Sequence, residues 1–148
     1  MASKIKHFPD ISVVSANMKA HISLKRINGN LDRAQWWLDN QVMTDMVPYM
    51  PQNTGAFINV TRAQSAALAG TGTVVAGAAP MGRFLYQGLV MVDPETNSPW
   101  ARPGAKKIVT ARPLTYSNPQ ATPKWFDTAK ENHGKQWVSG VKSIVGGK

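Results

Sequence analysis

Apolar and polar positions change rhythm several times along this chain, and the changes mark out its elements. Between residues 13 and 25, Val14, Ala16, Met18, Ala20, Ile22 and Leu24 fall on one side, with Ser15, Asn17, Lys19, His21, Ser23 and Lys25 on the other. A period of two predicts a half-buried strand, with His21 at an ordinary surface position on its wet face. Asn28-Gly29-Asn30 then breaks the strand, and Asn30 reads as the N-cap of a helix opened by Leu31. Within that helix Leu31, Ala34, Leu38, Val42 and Met46 recur at three- and four-residue steps, which makes one buried stripe. Trp36 and Trp37 are adjacent and project at different angles, so Trp37 is expected inward and Trp36 toward a boundary or a partner.

The helical rhythm stops in the stretch Val47 to Phe57. Pro48 and Pro51 lack amide donors and disfavour helical geometry in the residue before them, and Gly55 allows a tight turn. Beyond this corner Ala56, Ile58 and Val60 alternate with Phe57 and Asn59, which predicts a strand. A second strand is expected through Thr73 to Ala76, with Ala63 to Gly72 as a hairpin loop or flexible arm between them. Arg83 to Gly88 reads as a short helical turn closed by glycine, followed by a strand over Leu89 to Val92. Turn-forming residues fill Asp93 to Gly104, and Lys106 to Arg112 suits another strand. Thr122-Pro123 signals the start of a final helix, with Phe126, Ala129, His133, Trp137, Val141 and Ile144 as its stripe and Gly146-Gly147 as its end. His133 is then a boundary histidine beside core positions.

Composition narrows the class. The 148 residues suit one domain, 1–148, with a flexible N-terminus around His7 and a long loop at 93–112. Twelve Gly and ten Pro beside a hydrophobic fraction of 43% point to a loop-rich α+β chain. There is no Cys, so disulfides, thiolate nucleophiles and Cys-based zinc sites are excluded, and the chain fits a reducing cytosol. No apolar run follows the charged first residues, so no secretory signal is expected. The uncharged stretch Ala63 to Gly82 is too rich in Ala, Gly, Thr and Ser to span a membrane.

Charge adds a preference for anionic partners. Seventeen Lys and Arg against eight Asp and Glu give a net +9, and no acid occurs between Glu95 and Asp127, where Arg102, Lys106, Lys107, Arg112 and Lys124 lie. A second basic cluster is Lys19, Lys25 and Arg26. Solvated surface charge and contact with DNA or an acidic protein both fit this distribution.

No catalytic, cofactor-binding or metal-binding constellation emerges, so the chain reads as a non-enzyme. Gly70-Thr71-Gly72 matches neither a dinucleotide fingerprint nor a P-loop, and no Gly-x-Ser-x-Gly, His-Glu-x-x-His or carboxylate cluster is present. Asp93 and Glu95 read as solvated turn acids. The candidate interaction residues are instead Trp36, Trp100, Arg102, Lys106, Lys107 and Arg112, because a large aromatic beside several cations suits a protein interface. The alternative for Trp100 is that it folds back on the domain's own sheet.

Several pieces in a fixed order resemble a family of minor capsid or neck proteins of long-tailed bacteriophages and Gram-positive prophages. They are Leu38-Asp39-Asn40-Gln41-Val42, Val47-Pro48-Tyr49-Met50-Pro51 with Thr54-Gly55, Arg83-Phe84-Leu85-Tyr86-Gln87-Gly88, Val90-Met91-Val92-Asp93-Pro94 running to Pro99-Trp100-Ala101, Arg112-Pro113-Leu114-Thr115-Tyr116-Ser117, and Lys124-Trp125-Phe126-Asp127-Thr128-Ala129-Lys130 with Trp137. Members often carry Tyr-Ala where this chain has Met81-Gly82. The family is similar to tail-completion proteins. The resemblance implies a small antiparallel sheet packed against a long helix, with a C-terminal helix and extended loops. It implies a homo-oligomeric ring that meets connector or head-completion and tail-terminator proteins in the virion neck, after assembly in the host cytoplasm, with nonspecific contact to packaged DNA and none to membrane. The rival is a small basic nucleic-acid-binding protein.

Overall fold

The computed structural model describes residues 4–15 and 18–147. The fold is α+β. In chain order it has strands β1 (Ile11–Ser15) and β2 (Met18–Ile22), helix α1 (Lys25–Met46), a 3-10 turn (Val47–Tyr49), helices α2 (Ala56–Ala67) and α3 (Gly82–Gln87), strands β3 (Leu89–Val92) and β4 (Ile108–Pro113), and helix α4 (Trp125–Val145). The strands form two separate antiparallel ribbons, β1 with β2 and β3 with β4. The long helix α1 packs chiefly on α4, so the core lies between helices.

The strand expected over 13–25 is a ribbon folded on itself. Ile11 lies opposite Ile22 and Ser15 opposite Met18, while Ala16 and Asn17 lie outside the described residues. A period of two is common to one long strand and to two strands joined by a two-residue turn, but opposed residues in a ribbon share a face. Val14 and Ile22, expected together, therefore point to opposite sides, and they are 71% and 53% exposed.

Helix α1 starts at Lys25, six residues before the expected Leu31. The apparent breaker Asn28-Gly29-Asn30 is helical because both asparagines find distant partners. Asn28 exchanges two 2.8 Å hydrogen bonds with the backbone of Phe8, and buried Asn30 donates to the Val145 carbonyl at the end of α4 (3.1 Å). These bonds outweigh a weak local preference. Residues 5–10 are tied to the start of α1. The Ile5 amide donates to Gln35 Oε1 (3.0 Å), His7 Nε2 meets Asp32 (2.7 Å), and the Leu24 amide donates to Asp10 (2.7 Å).

Leu31, Ala34, Val42 and Met46 form the buried stripe of α1, and Val42 and Met46 cluster with Ala129 and Trp137 of α4. Trp137 donates its ring N–H to Asp45 Oδ2 (2.6 Å). Half-buried Trp37 lies over Gly140, where an added methyl would overlap its six-membered ring. A glycine that weakens α4 locally thus lets the two helices close up.

After the corner, the expected strand over 56–60 is helix α2. The wider window holds a helical stripe of Ile58, Thr61 and Ser65, hidden from a hydropathy pattern because two members are hydroxyl residues. Their hydroxyls hold Thr73 to Ala78, which has no strand partner among the described residues. Ser65 Oγ accepts from the Val75 amide and donates to its carbonyl (both 3.0 Å), and Thr61 Oγ1 accepts from the Ala78 amide (3.0 Å). On the α1 side, Asp39 Oδ2 accepts from the Gly70 and Gly72 amides at 2.8 and 3.0 Å. Side chains pair this strap where a ladder would have done so.

The expected turn at 83–88 is α3, closed by Gly88 at φ 71°. Gly88 has a second constraint, since a Cβ there would sit 2.6 Å from Pro123 and 3.0 Å from Tyr116. Helix α4 begins at Trp125, two residues beyond Thr122-Pro123, after Lys124 takes a left-handed φ of 52° and donates its amide to the Tyr86 carbonyl (2.7 Å). Trp125, outside the expected stripe, is fully buried, with Phe57 and Tyr86 edge-on to its ring and its N–H on the Ala76 carbonyl (2.8 Å).

Truncating Trp125 or Trp137 to Ala should cost about 3–5 kcal/mol by urea unfolding, against less than about 0.5 kcal/mol for the exposed Trp36 or Trp100. Two helical glycines should respond with opposite sign. Gly29→Ala, which adds a methyl into open space, should stabilise by roughly 0.5–1 kcal/mol. Gly140→Ala, which drives a methyl into Trp37, should destabilise by about 1–3 kcal/mol. Equal signs for the two would mean that Trp37 does not rest on Gly140.

Candidate interaction surface

The loop that follows β3 is organised by an acid at the strand's end. Val92 and Asp93 are both fully buried. Asp93 Oδ1 accepts from the amides of Glu95 (2.9 Å) and Thr96 (3.4 Å), and Oδ2 accepts from the amide of Arg102 (3.1 Å). The Arg102 guanidinium closes over the same carboxylate, with Nε 2.9 Å from Oδ2 and Nη2 3.3 Å from Oδ1, while Nη1 reaches Glu95 Oε2 at 2.5 Å. Backbone bonds from Asp93 N to Ser98 O (2.8 Å) and from Asn97 N to Asp93 O (2.9 Å) complete the turn. A carboxylate with this many donors is strongly favoured in its charged form.

Asp93 is therefore not the solvated turn acid that its neighbourhood suggested. Its third partner lies nine residues on, in Arg102. The visible signal was an acid placed directly after the apolar run Val90-Met91-Val92, at a position where the chain is still entering the interior. Arg102 in turn is not a free interface cation, because Asp93 and Glu95 occupy its fork. Those donors hold the Asp93 carboxyl well below the usual carboxylate range, the Arg102 side chain first and the Glu95 and Arg102 amides after it.

What the loop presents is Trp100. Its amide is held by Ser98 Oγ (3.1 Å), and its side chain is 86% exposed, so it does not fold back on the sheet. Lys106, Lys107 and Arg112 are exposed on the same connection and on β4, where Ile108 and Val109 are each 50% exposed. Trp36, 59% exposed, lies on a different element, beside Gly70 of the strap. The two histidines weighed from the sequence have ordinary partners. His21 Nδ1 meets Ser12 Oγ (2.8 Å), and His133 Nε2 lies 3.5 Å from the Tyr49 hydroxyl.

Of the acids, Asp39 and Asp93 are buried, whereas Asp10, Asp32, Glu95, Asp127 and Glu131 are exposed. Among the described residues Arg102 is the one Lys or Arg within ion-pair distance of an acid. Asp39 and Asp45 spend their carboxylates on strap amides and on Trp137, and Asp10 and Asp32 hold the N-terminal segment. Several acids thus serve structure, and the surplus of Lys and Arg leaves the surface field positive. No described helix is long and apolar enough to cross a membrane.

Because the Asp93 pKa is depressed on folding, its contribution is fully present above the unfolded value of about 4 and is lost as pH falls below that. Asp93→Asn should lower the urea midpoint at pH 7, and the gap to the unmodified chain should narrow as pH falls below about 4. A gap independent of pH would contradict the ionic role.

No protein-family model, curated protein or solved structure matches the chain.

Proposed function

We propose that the protein is a structural, non-enzymatic subunit of a phage head-tail connection, a ring component that helps to join the DNA-filled head to the tail. The observation that carries this reading is Trp100. A chain that fixes a loop with a buried carboxylate and then leaves an indole 86% exposed at its crest has preorganised an anchor for another surface. Exposed Trp and Arg residues supply much of the energy at protein interfaces, and a preformed loop loses little entropy on docking. Lys106, Lys107 and Arg112 beside it favour an acidic docking surface on the connector or tail side. The order of motifs that resembles neck proteins supports the same assignment, with the virion neck as the final location.

A second reading, a small nucleic-acid-binding protein, draws on the unpaired cations. Such contact is expected to be sequence-independent and salt-sensitive, since backbone neutralisation by scattered Lys and Arg carries no base readout. In a neck ring the same cations would tolerate the passing DNA.

A phage carrying Trp100→Ala should accumulate full heads and separate tails, while the isolated variant unfolds at the same urea midpoint as the unmodified chain. Arg102 is left intact in this test because it holds the loop. Normal tailed particles from the variant would remove the loop from the joining role. Tight binding of the isolated chain to one DNA sequence at high salt would instead favour the second reading.

A further inference from the structure

The outer edge of β4 is a strand edge that no other described strand pairs with. The sheet is β3 and β4 alone, and β4 packs chiefly on β3. On the β3 side the ribbon is anchored, since Val92 is fully buried. On the β4 side it is open. Every residue of β4 except Thr110 is exposed, Ile108 and Val109 included.

Backbone groups along β4 divide between the two edges. The Arg112 amide donates to Thr110 Oγ1 (3.3 Å), that hydroxyl donates to the Val90 carbonyl (2.7 Å), and the Leu114 amide donates to the Gly88 carbonyl (2.8 Å). These groups turn toward β3. Peptide groups of a strand point alternately to its two sides, so Ala111 turns its amide and carbonyl outward. An edge of this kind is a template for a further strand.

Charge decides which strand. Lys106 and Lys107 stand just before β4 and Arg112 near its end, all exposed, and none is paired with an acid among the described residues. A second β4 laid on this edge, in either direction, would set cations opposite cations, which is destabilising. The same charges attract an acidic strand. Alternation places Val109, Ala111 and Pro113 on one face and Ile108, Thr110 and Arg112 on the other. The complementary segment therefore alternates aliphatic residues, beside Val109 and Ala111, with acids on the Arg112 face.

We infer that β4 takes an extended acidic segment of a partner protein as a third strand of its sheet. Main-chain bonds to the open edge supply affinity, and the three cations select the partner. The inference rests on the preceding reading only in that the partner surface is acidic, and its test needs no phage.

The full chain is titrated with a synthetic peptide as long as β4 that alternates Val and Glu, followed by amide NMR. Binding should occur with a Kd of about 1 mM or tighter. Shifts should centre on Ile108 to Arg112, and hydrogen exchange at the Ala111 amide should slow. The same peptide with every amide N-methylated keeps its charge but loses its donors, and should bind at least about tenfold more weakly. Arg112→Glu, at an exposed position, should weaken the Val and Glu peptide by about tenfold or more and allow a Val and Lys peptide to bind. Absence of binding, shifts centred elsewhere, or equal affinity for the N-methylated peptide would overturn the inference. So would a dT oligonucleotide that displaces the peptide at equal charge, since the edge would then be a phosphate surface. Any of these leaves the Trp100 loop to its own test in particles.

Discussion

The hydrogen bond from the Trp125 ring to the Ala76 carbonyl sits where most of the structure meets. Burying an indole gains a large apolar area only if its N–H finds an acceptor in the interior. Here the acceptor belongs to a segment outside any helix or strand. That segment is held by Asp39 from α1 and by Thr61 and Ser65 from α2, so one buried ring connects four elements through the strap's backbone. Phe57 from α2 and Tyr86 from α3 complete the cage around it.

The Pro corner follows the same rule of satisfying backbone groups at a distance. Pro48 and Pro51 end α1, and the carbonyls they leave free are taken by the segment before α4. Asn118 donates to the carbonyls of Pro48 and Met50 (3.0 and 3.1 Å), Ser117 to that of Gln52 (2.7 Å), and the Thr122 amide to that of Tyr49 (3.1 Å). Corner and approach to α4 are therefore one unit, although some 70 residues separate them in the chain. Asp39 and Asp93 are used in internal work of the same kind, and most cations are left outside.

Two kinds of exposed apolar surface result, and they differ in support. Trp100 stands on a loop fixed from beneath by a fully paired carboxylate. Asp10, Asn28 and Asp32 hold the segment that leads into and out of the β1–β2 ribbon. A rigid anchor suits docking to a different, preformed surface.

The sequence alone determined the α+β class, the stripes of α1 and α4, the stop at Pro48, the glycine-closed turn at Gly88 and the turn-rich loop carrying Trp100. Each depends on periodicity or on backbone chemistry confined to a few neighbouring residues. Only the tertiary structure decided the rest. Asn28 and Asn30 are helical because Phe8 and Val145 lie within reach, and α2 is a helix whose buried stripe includes hydroxyls that serve the strap. Asp93 is buried because Arg102 returns to it, and that return takes Arg102 out of the set of free cations. Residues 11–15 and 18–22 pair as a ribbon, because a period of two is common to one strand and to two that are paired with each other. In every such case the deciding partner is distant in sequence, and a local pattern carries no information about which distant group will pair with a polar side chain.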